Sequence, residues 1–194
     1  CGFSGGVEKR IDLHWNILHP SSDTDTVTAI WELAKVTSYQ NYTLLTMSST
    51  HHFLHSCIHG LRWNRHAPCR WVADAMMVLR SPESTIDWQL INQMARDLQV
   101  SVVLYEAFKY LNTTFQAGIP DAVIAGLEAG PASRLERAAF DVHIRNKSNV
   151  YGNLLKYTVD YIRYDSPRGL LKKVINYPRY LQICWKSKTL LLLP

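Results

Sequence analysis

Three features of this 194-residue chain predict an α+β fold that is mostly helical. Residues 10–17 alternate strictly between polar and apolar side chains, the period of a half-buried strand. A second short run, Thr43–Met47, is also β-like. Nearly everything after residue 48 repeats its apolar residues at helical spacing between proline and glycine breaks.

The first strand has two unlike faces. Ile11, Leu13, Trp15 and Ile17 share one, while Arg10, Asp12, His14 and Asn16 share the other. His19-Pro20-Ser21-Ser22 ends it, and Ser22 or Asp23 is placed to cap a helix running to about Val36. Asp23-Thr24-Asp25 has the spacing of a metal clamp, but acidic residues at a helix start serve the dipole and the cap, so that role is set aside. The next helix, Ser49 to Leu61, has a core stripe of Leu54, Cys57, Ile58 and Leu61. His52, His55 and His59 lie on the opposite side, and Gly60 is expected to loosen the helix end. Pro68 precedes a helix over 70–80 whose core positions are Val72, Ala75, Met76 and Leu79. Further helices are predicted near 85–98, 100–113, 119–128, 131–146, 149–163 and 169–176. Pro120, Gly130-Pro131, Ser166-Pro167 and Pro178 punctuate them.

Composition narrows the function classes. With 47% hydrophobic and 19% charged residues the chain can bury a sizeable core. No apolar run reaches the length of a membrane span. Cys1, Cys57, Cys69 and Cys184 form no CxxC pair, so a disulfide scaffold and structural zinc are not expected, and a reducing cytoplasm fits. The net charge of +5 is uneven: from Pro131 onward there are 12 basic against 4 acidic residues, while the part before it is slightly acidic. Such a skew favours phosphate or an anionic membrane surface, or else forms a solvated basic face. Aromatic and basic residues do not interleave as in known RNA or DNA modules, so nucleic acid is not indicated. There is no GxSxG elbow, and Gly2-Phe3-Ser4-Gly5-Gly6 lacks the Gly-Lys-Ser/Thr ending of a phosphate-binding loop.

Two groups of residues are left as candidates for chemistry. Asp12 sits on the polar face of a strand beside His14; phosphoryl-transfer enzymes hang carboxylates on strands in this way because two metal ions must be held rigidly. A solvated or ion-paired aspartate is the plainer alternative. His55 and His59 are spaced so that both imidazoles can meet one metal, with Asp74 as a third ligand. The glutamate of a zinc-protease helix is absent, since Ser56 follows His55, and histidines on such a face also serve as cleft lining. Arg70 and Asp74, four residues apart, can pair with each other.

Several pieces together carry a resemblance. Ile11-Asp12-Leu13-His14-Trp15 is followed by Ile30-Trp31-Glu32-Leu33-Ala34. Then come Phe53-Leu54-His55-Ser56-Cys57-Ile58-His59-Gly60, Leu61-Arg62-Trp63-Asn64, Arg70-Trp71-Val72-Ala73-Asp74-Ala75 and Asp87-Trp88. This order resembles the bacterial uncharacterised nucleotidyltransferase family of the polymerase-β-like superfamily, over residues 7–130 and more loosely to Arg137. The resemblance implies that residues 1–48 are the last strands of a nucleotidyltransferase core and residues 49–194 a helical domain. It implies transfer of a nucleotidyl group from an NTP to an unknown acceptor, with Mg2+. Asp12 falls where the third carboxylate of that superfamily belongs, holding a catalytic metal and helping to deprotonate the acceptor hydroxyl. The Gly-Ser turn and Asp-x-Asp pair have no counterpart here. With Cys1 first and no methionine before Met47, the chain is expected to be the C-terminal portion of a larger protein, inactive alone. His14, His55, His59, Arg70 and Asp74 are expected to line the acceptor or nucleotide cleft, with Arg70 meeting phosphate.

A rival from another class is a helical binding module. Its basic C-terminal half, with Lys172, Lys173 and Arg179, would dock an acidic partner or a membrane surface, and Leu190–Leu193 would add an apolar contact.

Overall fold

A computed structural model describes residues 24–62, 69–130, 132, 134–145, 150–162 and 170–184. Among them are nine helices and one two-stranded sheet, the mainly helical α+β architecture expected. The predicted strand at 10–17, with Asp12 and His14, lies outside the described residues.

Helix α1 (Thr24–Glu32) is shorter than predicted. The chain leaves it at Leu33-Ala34 and forms a hairpin, β1 (Lys35–Tyr39) against β2 (Tyr42–Thr46). The sequence predicts a helix to about Val36, four residues beyond where it ends. The β-branched and aromatic residues of Val36–Tyr39 instead find a matching strand one tight turn away. Lys35 stands opposite Thr46 and Tyr39 opposite Tyr42, with Gln40 in the left-handed region at φ 52° in the turn. The Thr37 and Thr46 hydroxyls bond across the pair at 2.9 Å.

The core is built around α2 (Ser49–Arg62). It packs on α3 (Arg70–Arg80), α4 (Trp88–Asp97) and α5 (Ser101–Phe115), while α6 (Asp121–Ala129) covers α5. The predicted stripe is the one that goes inward: Leu54, Cys57 and Ile58 are buried, with Leu61 partly so. At its centre Phe53 stacks on Phe108 at 5.3 Å between centroids, and Trp88 meets both rings edge-on. Ile30 of α1 belongs to the same cluster. Burial drives the Cys57 thiol well above its ordinary range, which leaves it an inert core residue. Two polar ties hold the approach to α4: the Asp87 amide donates to Thr50 Oγ1 at 2.9 Å, and the Asp87 carboxylate accepts from the Leu90 amide as the helix cap.

Gly60 does not loosen α2. The helix continues to Arg62, and Gly60 is where α2 and α3 come closest: a Cβ there would stand 2.2 Å from the Trp71 Cβ. A residue without a side chain is required by this crossing, and that requirement outweighs its poor helix propensity.

Three further helices are α7 (Arg134–Arg145), α8 (Val150–Asp160) and α9 (Leu170–Cys184). Buried Glu136 ties α7 to the start of α5 by accepting from the Val102 amide at 2.8 Å. His143 and Asp160 pair at 3.4 Å between α7 and α8, both side chains largely shielded from water. Tyr161 packs between Tyr177 and Tyr180 of α9 and donates its hydroxyl to the Lys173 carbonyl. These contacts, with buried Leu181, carry α9 past Pro178, where the sequence predicted a stop near residue 176. Nearby, Tyr157 is harder to ionise than usual, first through burial and then through Cys184 and Asp160.

Candidate functional site

Helices α2 and α3 touch at Gly60 and Trp71, near the end of α2 and the start of α3; the start of α2 and the end of α3 lie away from that contact. A cavity of about 360 Å³ opens there. Its walls combine Met47, Met77 and Val78 with the hydroxyls of Ser49, Ser81 and Ser84, the His52 imidazole and the Asp74 carboxylate. Its volume lies at the small end of ligand sites, and its mix of apolar wall and few polar groups is typical of them.

Local sequence explains both ends of the cleft. Ser48 opens α2: its hydroxyl accepts from the His51 amide at 3.3 Å and bonds His51 Nδ1 at 2.9 Å. His51 is buried at 2% exposure, and its Nε2 has no hydrogen-bond partner among the described residues. Burial lowers its pKa, so the ring favours the neutral form. At the end of α3 the Ser81 amide donates to the Met77 and Val78 carbonyls, closing the helix next to the cleft wall.

Only part of the predicted site meets here. Asp74 is half-buried in the cleft, and among the described residues it makes no ion pair with Arg70. Arg70 is exposed on the first turn of α3, outside the cavity lining. His55 and His59 lie on α2 with His52 but stack on each other, their centroids 5.2 Å apart and their planes 27° from parallel. Stacked rings do not converge on one ion. Among the described residues no three His, Cys, Asp or Glu side chains are grouped to hold a metal, and Asp74 lines the cleft whereas His55 and His59 are not among its lining residues. His52 was visible in the sequence as a member of the histidine face. The three serines carried no signal, because hydroxyl residues near helix ends are ordinarily caps.

The arrangement has a definite electrostatic sense. A carboxylate, an imidazole and three hydroxyls line the cleft, with no lysine or arginine among the described lining residues. Such a wall accepts hydrogen bonds from hydroxyl or ammonium groups, and offers a triphosphate little to pair with.

A family model described as uncharacterised nucleotidyltransferase matches residues 4–116. That span contains Asp12 and His14, the whole of α2 and α3, and every residue lining the cleft. No curated protein and no solved structure matches the chain.

Proposed function

This chain belongs to the uncharacterised nucleotidyltransferase family, and from that premise we propose that it serves transfer of a nucleotidyl group from an NTP to an acceptor hydroxyl. The observation that carries the reading is the family match, because it joins the Asp12 segment and the α2–α3 cleft in one span.

In this proposal the cleft seats the acceptor. Ser49, Ser81, Ser84 and Asp74 accept hydrogen bonds from its hydroxyls, while Met47, Met77 and Val78 fit its apolar edges. His52, in the lining, would orient it. The acceptor oxygen attacks the α-phosphorus, the bond to the bridging oxygen breaks, and pyrophosphate leaves. Asp12 draws the proton from the attacking hydroxyl. Its carboxylate is a hard oxygen donor of the kind magnesium takes, whereas the stacked imidazoles of α2 are not. Bound there, magnesium would neutralise charge on the phosphates. Because the Gly-Ser turn and Asp-x-Asp pair of such enzymes have no counterpart in this sequence, the proposal assigns them to further polypeptide of the same protein.

The test is magnesium-dependent pyrophosphate release by the full-length protein and its Asp12→Asn variant. The proposal expects a loss of at least about a hundredfold, the scale of a general-base contribution. Turnover retained in Asp12→Asn would remove this residue from the mechanism.

A further inference from the structure

The outward face of α9 is apolar where a solvated helix would be polar. Leu171, Val174, Ile175 and Ile183 are 73%, 63%, 64% and 68% exposed. At 100° per residue, Leu171, Val174, Ile175 and Pro178 fall within an arc of roughly 100°, and Lys172 and Arg179 border it on one side. Tyr161 holds another part of the helix surface, through Tyr177 and Tyr180. The helix therefore keeps Tyr177 and Tyr180 partly covered while Leu171, Val174, Ile175 and Ile183 stand in water.

We propose that this face of α9 docks on an anionic bilayer surface, lying in the plane of the headgroups. Charge complementarity points to that occupant. The helix carries Lys172 and Arg179 beside the stripe and no acidic residue. Of the four acids after Pro131, Glu136 and Asp160 are both buried at 3% exposure, so the surface is more positive than the residue count implies. Shape points the same way. A protein partner usually grips aromatic or arginine anchors set in pockets, whereas this stripe is a convex run of aliphatic side chains with long cations at its border. Such cations reach the phosphates while the stripe enters the headgroup boundary. No described helix is long and apolar enough to cross a membrane, so the contact is peripheral.

The test is co-sedimentation of the full chain with vesicles of phosphatidylcholine alone and with about 30% phosphatidylserine added. Binding is expected only with the anionic lipid and falls steeply as salt is raised. Leu171→Ser with Ile175→Ser should weaken it about tenfold or more, and Lys172→Gln with Arg179→Gln by a similar factor. All four side chains point outward on α9, so circular dichroism should show each double variant folded as the parent. Equal binding to both vesicle types, no binding to either, or unchanged binding by the Leu171/Ile175 variant would overturn the proposal. Absence of vesicle binding with salt-sensitive capture of an acidic protein would assign the face to that class of partner instead.

Discussion

Replacing Gly60 with alanine is the most informative single perturbation of this fold. The added methyl would sit 2.2 Å from the Trp71 Cβ and 2.3 Å from its Cγ. Ordinary contact begins near 3.4 Å, so one helix must retreat by roughly 1.2 Å. No rotamer relieves this, because a Cβ is fixed by the backbone and Trp71 is itself buried. Overpacking of this kind costs about 3 kcal/mol at its upper range, and alanine returns about 1 kcal/mol of helix propensity. A net loss of about 2 kcal/mol or more lowers the melting temperature of a chain this size by about 4–8 °C. Gly126→Ala is the internal control: there the nearest atom, Asn92 Nδ2, is 3.5 Å away, and the same change should be neutral or stabilise by up to about 1 kcal/mol. Thermal melts of the two variants, followed by circular dichroism, make the comparison. If Gly60→Ala melts no lower than Gly126→Ala, then α2 and α3 do not cross at this glycine, and the cleft lined by both helices is misplaced.

Other outcomes follow from single contacts. Because burial lowers the native pKa of His51 below its unfolded value of about 6.5, its contribution to stability is full above that pH and is lost as pH falls through the native value. His51→Gln should flatten the fall in melting temperature between about pH 7.5 and 5.5; an unchanged fall would place the acid sensitivity elsewhere. Asp87→Ala removes the cap on α4 and should cost about 1 kcal/mol in urea unfolding, whereas Asp87→Asn, which keeps an acceptor oxygen, should lose less. If the acceptor sits in the cleft, Asp74→Asn should raise KM for the acceptor and leave KM for the NTP unchanged, and the reverse pattern would put the nucleotide there.

Where a local signal and the tertiary environment agreed, the fold was legible before any coordinates. The helix over 70–80 has Pro68 before it and an uninterrupted apolar stripe, and α3 is found there. The buried stripe of α2 was equally plain, since Leu54, Cys57 and Ile58 have a single period. Failures came where distant contacts override the local pattern. The β1 strand depends on a partner seven to eleven residues away in most of its pairs, which no helical-period count detects. Helix α9 passes Pro178 because Tyr161 holds both sides of it. Gly60 looked like a helix breaker because its reason for being glycine is Trp71 on another helix. The site was legible to a lesser degree. The histidine face lies on the helix that lines one side of the cleft, and Asp74 lines the other. Which imidazole enters the cavity depends on the angle between α2 and α3, and the sequence placed weight on His55 and His59 where the cleft takes His52. Asp12 and His14 rest on the family match and the strand pattern.

The central claim is that the transferred group is a nucleotidyl unit. The most direct measurement follows radiolabel from the α- and γ-phosphates of the NTP separately in the full-length protein. The account predicts that the α label becomes attached to the acceptor, that the γ label leaves in pyrophosphate, and that both transfers vanish in Asp12→Asn. Gamma label on the acceptor, or α label transferred equally well without Asp12, would contradict it.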